Sequence, residues 1–358
     1  MREQEYKVLG MMSGTSLDGV DLAYCHFKLD KGNWDFRIEA AGTVPYNNQW
    51  KNRLAGAHLL SGRELLDLDI EYGNFLGELA RDFCKKGSFD PGIIASHGHT
   101  VFHQPDKGIT LQVGNGSAMA VKSDVPVVHD FRSLDVSFGG QGAPLVPVGD
   151  RLLFRDYDIC LNLGGFSNVS FEKGGQRVAF DISPCNIVLN RYANEIELDF
   201  DDGGRNARGG SLNDELLGKL NGLEYYRKKG PKSLGREWLE REFYPVVDSF
   251  NLPVDVILRT LTEHIAGRIA QVIAERGVPD ASKILITGGG AGNSFLLERI
   301  SDNAGMYLEI PDPLLIDFKE ALVFAFLGIL RSRREVNTLS SVTGATMDSS
   351  GGVICYPS

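Results

Sequence analysis

Apolar positions along the chain recur in two periods. Residues 6–12 (YKVLGMM) read as a buried strand, and the polar turn SGTSLDG follows. Residues 20–29 (VDLAYCHFKL) alternate with a period of two, and residues 36–44 do the same, so the chain opens on an antiparallel meander. Leu65, Leu66, Leu68, Ile70, Phe75, Leu76, Leu79, Ala80 and Phe83 then recur at helical spacing and predict one helix or two over 61–86. Residues 92–96 (GIIAS) predict a short buried strand running into HGHT.

A second cycle of the same order begins near residue 158. A strand (158–163, DICLNL), the turn GGFSN, a strand (169–172), the turn KGGQ and a strand (177–181, RVAFD) repeat the opening pattern after about 150 residues, as a duplicated domain would. Between the cycles, GGQGAPLVP (139–147) has the glycine and proline density of a hinge or interdomain crossing. Helical periodicity returns over 254–275. Residues 283–287 (KILIT) predict a strand, GGGAGN a turn, and a helix starts at Ser294. Residues 320–332 predict a final helix that is apolar on every face, which fits a buried or interdomain position.

Length and charge narrow the classes. At roughly 150 residues per domain, 358 residues imply two domains. The net charge of −10 disfavours a general nucleic-acid binder, which needs a basic footprint, but leaves room for phosphate held by backbone amides. The five cysteines form no CxxC pair, the N-terminus has no apolar segment of the secretory kind, and the longest clean apolar run (321–330) is too short to span a bilayer. These features read as a cytoplasmic chain without a membrane partner.

The 42 glycines cluster in turns that follow predicted strands. Three such turns are candidates to cradle phosphates through backbone amides and small hydroxyls: Ser13–Gly14–Thr15–Ser16–Leu17–Asp18–Gly19, Gly164–Gly165 with Asn168, and Gly288–Gly289–Gly290 with Asn293. The P-loop and G-x-G-x-x-G patterns are absent, as is G-x-S-x-G. Asp18 and Asp21 either orient Mg²⁺ through water or cap their own turn. His97, His99 and His103 lack the cysteine or carboxylate company of a tetrahedral metal site, so hydrogen bonding is the reading preferred and no metal ligand set is assigned. Asp181, at a strand end before Ser183 and Asn186, suits general-base work or a simple turn role. Asp130 and Arg132 form either an ion pair or a clamp on an anionic substrate. Glu320 is either functional or a helix-terminal carboxylate.

MSGTSLDGVD (12–21), SHGHTVFHQP (96–105), TLQVGN (110–115) and DFRSLDVSFGGQGAPLVP (130–147) resemble the anhydro-N-acetylmuramic acid kinase family, as do LNLGGFSNVS (161–170), PKSLGREW (231–238), TGGGAGN (287–293), EALVFAF (320–326) and SVTGA (341–345). The resemblance covers nearly the whole chain in family order. It implies an α/β fold of the sugar kinase/Hsp70/actin class: two ribonuclease-H-like domains flanking a deep interdomain cleft, domain I from 1–128 plus 321–358 and domain II from 129–320. It implies ATP and Mg²⁺ as cofactors, a sugar substrate and a homodimer. Opening of a 1,6-anhydro ring by water, coupled to phosphorylation of O6, is the implied reaction. Asp181 matches the family's base. Ser13 to Asp21, Val20 included, would cradle phosphate, with Gly164, Gly165, Asn168, Gly288, Gly289, Gly290 and Asn293 adding nucleotide contacts. His97, Asp130, Arg132, Asn186 and Glu320 fall in motifs of the sugar side. Where the family usually has D-T-G-P-G-N this chain has DISPCN, so Ser183 and Cys185 replace glycines and are expected to enter the space beside the base. Asn190 and Asn115 stand where aspartates are usual. An ordinary sugar kinase on the same fold and a nucleotide-binding protein with weakened catalysis are the alternative readings.

Overall fold

The computed structural model describes residues 3–14, 16–228, 232–276 and 282–358. The chain forms two compact units: Met1–Leu153 with Phe318–Ser358, and Phe154–Asp317. The first unit begins with the expected meander. β1 (Gln4–Met12), β2 (Gly19–Asp30) and β3 (Asn33–Pro45) are antiparallel neighbours, with Met12 opposite Asp21 and Asp21 opposite Thr43. β4 (Ile93–Ser96) lies parallel to β1. A two-stranded hairpin of β5 (His99–Gln104) and β6 (Ile109–Val113) follows, and β7 (Val127–His129) runs parallel to β4.

The helix Gly62–Gly87 is single and unbroken. A capping box between Ser61 and Glu64 opens it, Leu68, Tyr72, Leu76 and Ala80 bury one stripe, and Ser88 in the left-handed region closes it.

The second unit repeats the plan. β8 (Ile159–Leu163), β9 (Phe166–Lys173) and β10 (Gln176–Pro184) form an antiparallel meander. β11 (Ile284–Thr287) pairs parallel with β8, and β12 (Leu308–Glu309) with β11. Each sheet therefore carries the order third, second, first, then the parallel strands. In the first unit β13 (Val353–Cys355) extends that order antiparallel to β7. The core of the second unit gathers the sheet's apolar face and the long helix Val254–Ala274, whose Leu258, Leu261, Ile265 and Ile269 are fully buried.

Two sequence expectations shift. The boundary after residue 128 differs from this division, in which 129–153 folds with the first unit. The cause is contact with strand β7 and the C-terminal tail: Val353 pairs with His129, Gln141 N–H donates to the Thr343 carbonyl at 2.8 Å, and Thr343 Oγ1 donates to the buried Asp135 at 2.8 Å. The last helix starts at Pro313 instead of Glu320, with a non-helical residue at Phe318 (φ −116°, ψ 15°). From Ala321 to Leu330 every residue is buried, as the all-round apolar pattern required. Among the described residues no helix is long and apolar enough to cross a membrane.

Candidate active site

The turn after β1 is smaller than the sequence motif. Gly19, Val20 and Asp21 already belong to β2, and Val20 is fully buried in the core. Ser13 is buried, its hydroxyl 2.7 Å from Tyr46 Oη and 3.3 Å from His99 Nδ1, so this hydroxyl faces protein. Gly14 is half-buried, Leu17 has φ of 61°, and Ser16 and Asp18 are exposed. Thr15 lies outside the described residues. Asp21 accepts a hydrogen bond from Thr43 Oγ1 at 2.5 Å.

Of the first-unit residues expected on the sugar side, Arg132 and His97 meet directly. Arg132 donates from Nε and Nη2 to His97 Nε2 at 3.1 and 2.8 Å, and from Nη1 to the Gly142 carbonyl at 2.6 Å. His97 in turn donates from Nδ1 to the Gly98 carbonyl at 2.8 Å. Burial, aided by the Arg132 charge, pushes His97 down to about 3, so it stays neutral with its proton on Nδ1. Burial also pushes Arg132 down to about 10, against the pull of Glu320. Crowding by protein raises the Glu320 carboxyl, with Arg132 opposing and Asp21 adding to the rise, so these three charges share one neighbourhood. Asp130 has φ of 54° and accepts from Ser133 N–H at 3.3 Å. Arg132's donors go to His97 and Gly142, so Asp130 is not its ion-pair partner.

In the second unit Asp181 lies on β10, where the register with β9 slips between Asp181 and Ser183. Asn168 sits directly opposite Asp181 on one side and Asn162 on the other. The half-buried Asp181 carboxyl is raised by burial and partly lowered again by the Leu234 N–H, which donates to Oδ2 at 2.9 Å. Tyr225 Oη donates to the Asp181 carbonyl at 2.6 Å.

Gly164 and Gly165 form a tight two-residue turn between β8 and β9. Their carbonyls accept the backbone N–H groups of Asn186 (3.1 Å) and Cys185 (2.8 Å) at the start of the helix Asn186–Asn194. Asn186 Nδ2 donates to the Leu163 carbonyl at 3.0 Å, so this side chain ties the turn to the helix. Gly288 has φ of +84°, and a Cβ there would stand 2.6 Å from Asn162 Oδ1; a Cβ on Gly290 would stand 2.7 Å from Leu163 Cβ. Both glycines are required by packing. Gly289 is exposed, with only Asn186 Nδ2 near its Cβ position at 3.7 Å. Asn293 caps the helix Ser294–Ala304 through Oδ1 and Leu296 N–H at 3.0 Å.

The two residues of DISPCN expected to enter the space beside Asp181, Ser183 and Cys185, pack into the interior instead. Ser183 is fully buried, its hydroxyl 3.0 Å from Ser167 Oγ, and Cys185 is fully buried in the apolar core. Neither has positive φ, so no left-handed strain follows from losing glycine there.

Sequence reasoning gave no role to Tyr225, Leu234, Asp135 or Thr343. DFRSLDVSFGGQGAPLVP, PKSLGREW and SVTGA contained three of them, but the contacts join residues 44 to 208 positions apart, beyond any local pattern.

The family model for anhydro-N-acetylmuramic acid kinase matches residues 6–357. A curated anhydro-N-acetylmuramic acid kinase of Vibrio cholerae is 32% identical over the full length of both chains. One from Francisella tularensis subsp. novicida is 34% identical over 96% of this chain and 97% of its own. Among solved structures, a ROK family glucokinase from Streptomyces griseus in complex with glucose and AMPPNP aligns over 90% of this chain and 98% of its own at 12% identity and a TM-score of 0.38. An activator of the 2-hydroxyisocaproyl-CoA dehydratase from Clostridium difficile, with bound ADPNP, aligns over 92% and 98% at 14% identity and a TM-score of 0.42.

Proposed function

Because this chain belongs to the anhydro-N-acetylmuramic acid kinase family, we propose that it opens the 1,6-anhydro ring of anhydro-N-acetylmuramic acid with water and phosphorylates O6 from ATP, Asp181 acting as the base. The product is N-acetylmuramic acid 6-phosphate, an intermediate of cell-wall recycling. The observation that carries the base assignment is the environment of Asp181. It is a half-buried carboxylate with a raised pKa, held at Oδ2 by one backbone N–H, and such a group takes a proton more readily than an exposed carboxylate.

The chemistry balances in two steps. Asp181 takes one proton from a water whose oxygen bonds to the anomeric carbon as the bond from that carbon to the bridging oxygen breaks. The freed O6 then bonds to the γ-phosphorus, ADP leaves, and Asp181 returns its proton to solvent. Positioning and charge stabilisation carry the phosphoryl step. The repeated strand order of the two units supports two ribonuclease-H-like domains.

In this reading the turn 288–292 offers backbone to the phosphates of ATP, since Gly292 has nothing within 4 Å of its Cβ position and Gly289 only Asn186 Nδ2 at 3.7 Å; Ser16 and Asp18, exposed after β1, are further candidates for phosphate. Asp18 and Asp21 are the carboxylates for a phosphate-borne Mg²⁺. Among the described residues no group of three or more His, Cys, Asp or Glu side chains forms an all-protein metal site, and Mg²⁺ that arrives on phosphates does not need one. Mg²⁺ supplies charge neutralisation on those phosphates when bound. Arg132, fixed by His97 and Gly142 and coupled electrostatically to Glu320, suits a sugar carboxylate. A cytoplasmic homodimer completes the reading.

The test is product mass after incubation with Mg-ATP and anhydro-N-acetylmuramic acid. Gain of one phosphoryl group and one water is expected. Gain of the phosphoryl group alone, with the bridge intact, overturns the coupled reaction in favour of plain sugar phosphorylation.

A further inference from the structure

Three residues, Tyr225, Lys232 and Leu234, address three groups of Asp181. Its N–H donates to the Lys232 carbonyl at 3.0 Å, its carbonyl accepts from Tyr225 Oη at 2.6 Å, and its Oδ2 accepts from Leu234 N–H at 2.9 Å. The reason is topological. β10 is the edge of its sheet, so outward-facing peptide groups have no strand beside them, and the register slip after Asp181 interrupts the ladder on the inner side too. The ladder therefore leaves the base's backbone to be fixed from elsewhere.

These residues are themselves braced. Lys232 Nζ donates to the Tyr225 carbonyl at 3.1 Å and lies 4.3 Å from the centre of the Tyr225 ring. That ring packs against Tyr226 and Trp238, with centroids 5.6 and 5.4 Å away. Tyr226 Oη donates to His264 Nε2 at 2.8 Å, and His264 Nδ1 donates to Asn221 Oδ1 at 2.8 Å. Burial pushes His264 down to about 3, which leaves the neutral ring able to serve both bonds at once. The Tyr225 phenol is pushed up, first by burial and then by the Asp181 charge, so it remains a donor at every working pH.

We propose that Tyr225 is a positioning residue for the base: its hydroxyl pins the Asp181 backbone so that Oδ2 stays on the Leu234 N–H and Oδ1 is the oxygen presented to the attacking water. This rests on the reading of Asp181 as the base. Tyr225 touches neither sugar nor nucleotide in this role and moves no proton.

Tyr225→Phe keeps the ring and removes the one hydroxyl. A small displacement of a reacting group costs on the order of tenfold to a hundredfold in rate, so kcat should fall in that range while KM for ATP stays within about twofold. The Leu234 bond lowers the Asp181 carboxyl, so loosening it should move the acid limb of the kcat profile to higher pH, which loss of packing alone would not do. On an Asp181→Asn background the same change should cost less than about twofold more. Equal losses on both backgrounds, or an unmoved acid limb, overturn the proposal. Lys232→Met removes the brace on Tyr225 and should move the limb in the same direction; it keeps the test open if Y225F does not fold. Asp181→Asn turning over at the parent rate would instead bring down the base assignment, and the positioning role with it, whatever Y225F does.

Discussion

Arg132 directs two nitrogens at one acceptor, His97 Nε2, at 3.1 and 2.8 Å. The pair works only while His97 is neutral, because a protonated ring has no lone pair to offer and would face a guanidinium charge. With the third nitrogen on the Gly142 carbonyl, the arrangement holds Arg132 in one orientation and links the strand end after β4 to the GGQGAPLVP segment.

A pH dependence of stability follows. The unfolded chain protonates His97 near the ordinary 6.5, the folded protein only near 3. Stability from this group is therefore fully present above about pH 6.5 and is lost as pH falls from there toward 3. His264 in the second unit adds to the loss with the same sign. Urea unfolding at pH 7, 6 and 5 should show a falling midpoint. His97→Gln should flatten the fall while lowering stability at pH 7 by about 1–3 kcal/mol, since Arg132 keeps a poorer acceptor. A parent midpoint that is flat over this range contradicts the neutral-histidine geometry.

Asp181→Asn should abolish most turnover, a loss of about a hundredfold to ten-thousandfold for a general base, with ATP affinity nearly unchanged. With Asp181 read as the base, it must be ionised to act, and burial raises its pKa, so kcat should fall with decreasing pH at a point above that of an exposed aspartate. Steady-state kinetics for the rate, and calorimetric titration of ATP for the affinity, separate the two effects.

Much of this was legible in the chain. Alternation over 20–29 and the run at 6–12 gave the first meander, and the recurrence near 158 gave the second, since strand periodicity depends only on neighbours in sequence. The turn after β1 read too long because Val20 is apolar core and Gly19 already pairs with Pro45, a distinction that needs β3 in place. Asn186 and Asn293 are expected at ligands; the fold adds that Asn186 ties the Leu163 carbonyl, a contact with no local signature, and that Asn293 caps a helix. The Tyr225 and Leu234 contacts on Asp181 carried no local signature at all.

The DISPCN substitutions should act on stability more than on sugar handling. Ser183 bonds Ser167 in the interior and Cys185 fills apolar core, so neither occupies space at the carboxylate. Ser183→Gly should cost about 1 kcal/mol through the lost hydrogen bond. Cys185→Gly should cost about 1–3 kcal/mol through the cavity and the freer backbone. Thermal melts read both, and KM for the sugar should move less than about threefold. A tenfold change in that KM, with stability intact, would contradict the assignment of these side chains to the core.

Two glycines separate packing from ligand approach. A Cβ on Gly10 would stand 2.0 Å from the Ala321 carbonyl oxygen, so β1 meets the last helix backbone to side-chain-free backbone. Gly10→Ala must push that helix off the sheet, against a segment buried from Ala321 to Leu330, and should cost about 3 kcal/mol. Glu320 directly precedes the contact, so activity should fall together with stability. Gly289 is the opposite case: exposed, free of positive φ, and with open room for a methyl group. Gly289→Ala should change stability by less than about 0.5 kcal/mol. Its KM for ATP should nonetheless rise several-fold, because a methyl group there stands where phosphate would approach the backbone of the 288–292 turn. Thermal melts and ATP titrations on the two variants read the contrast, and an unchanged ATP KM in Gly289→Ala would remove this turn from the nucleotide site.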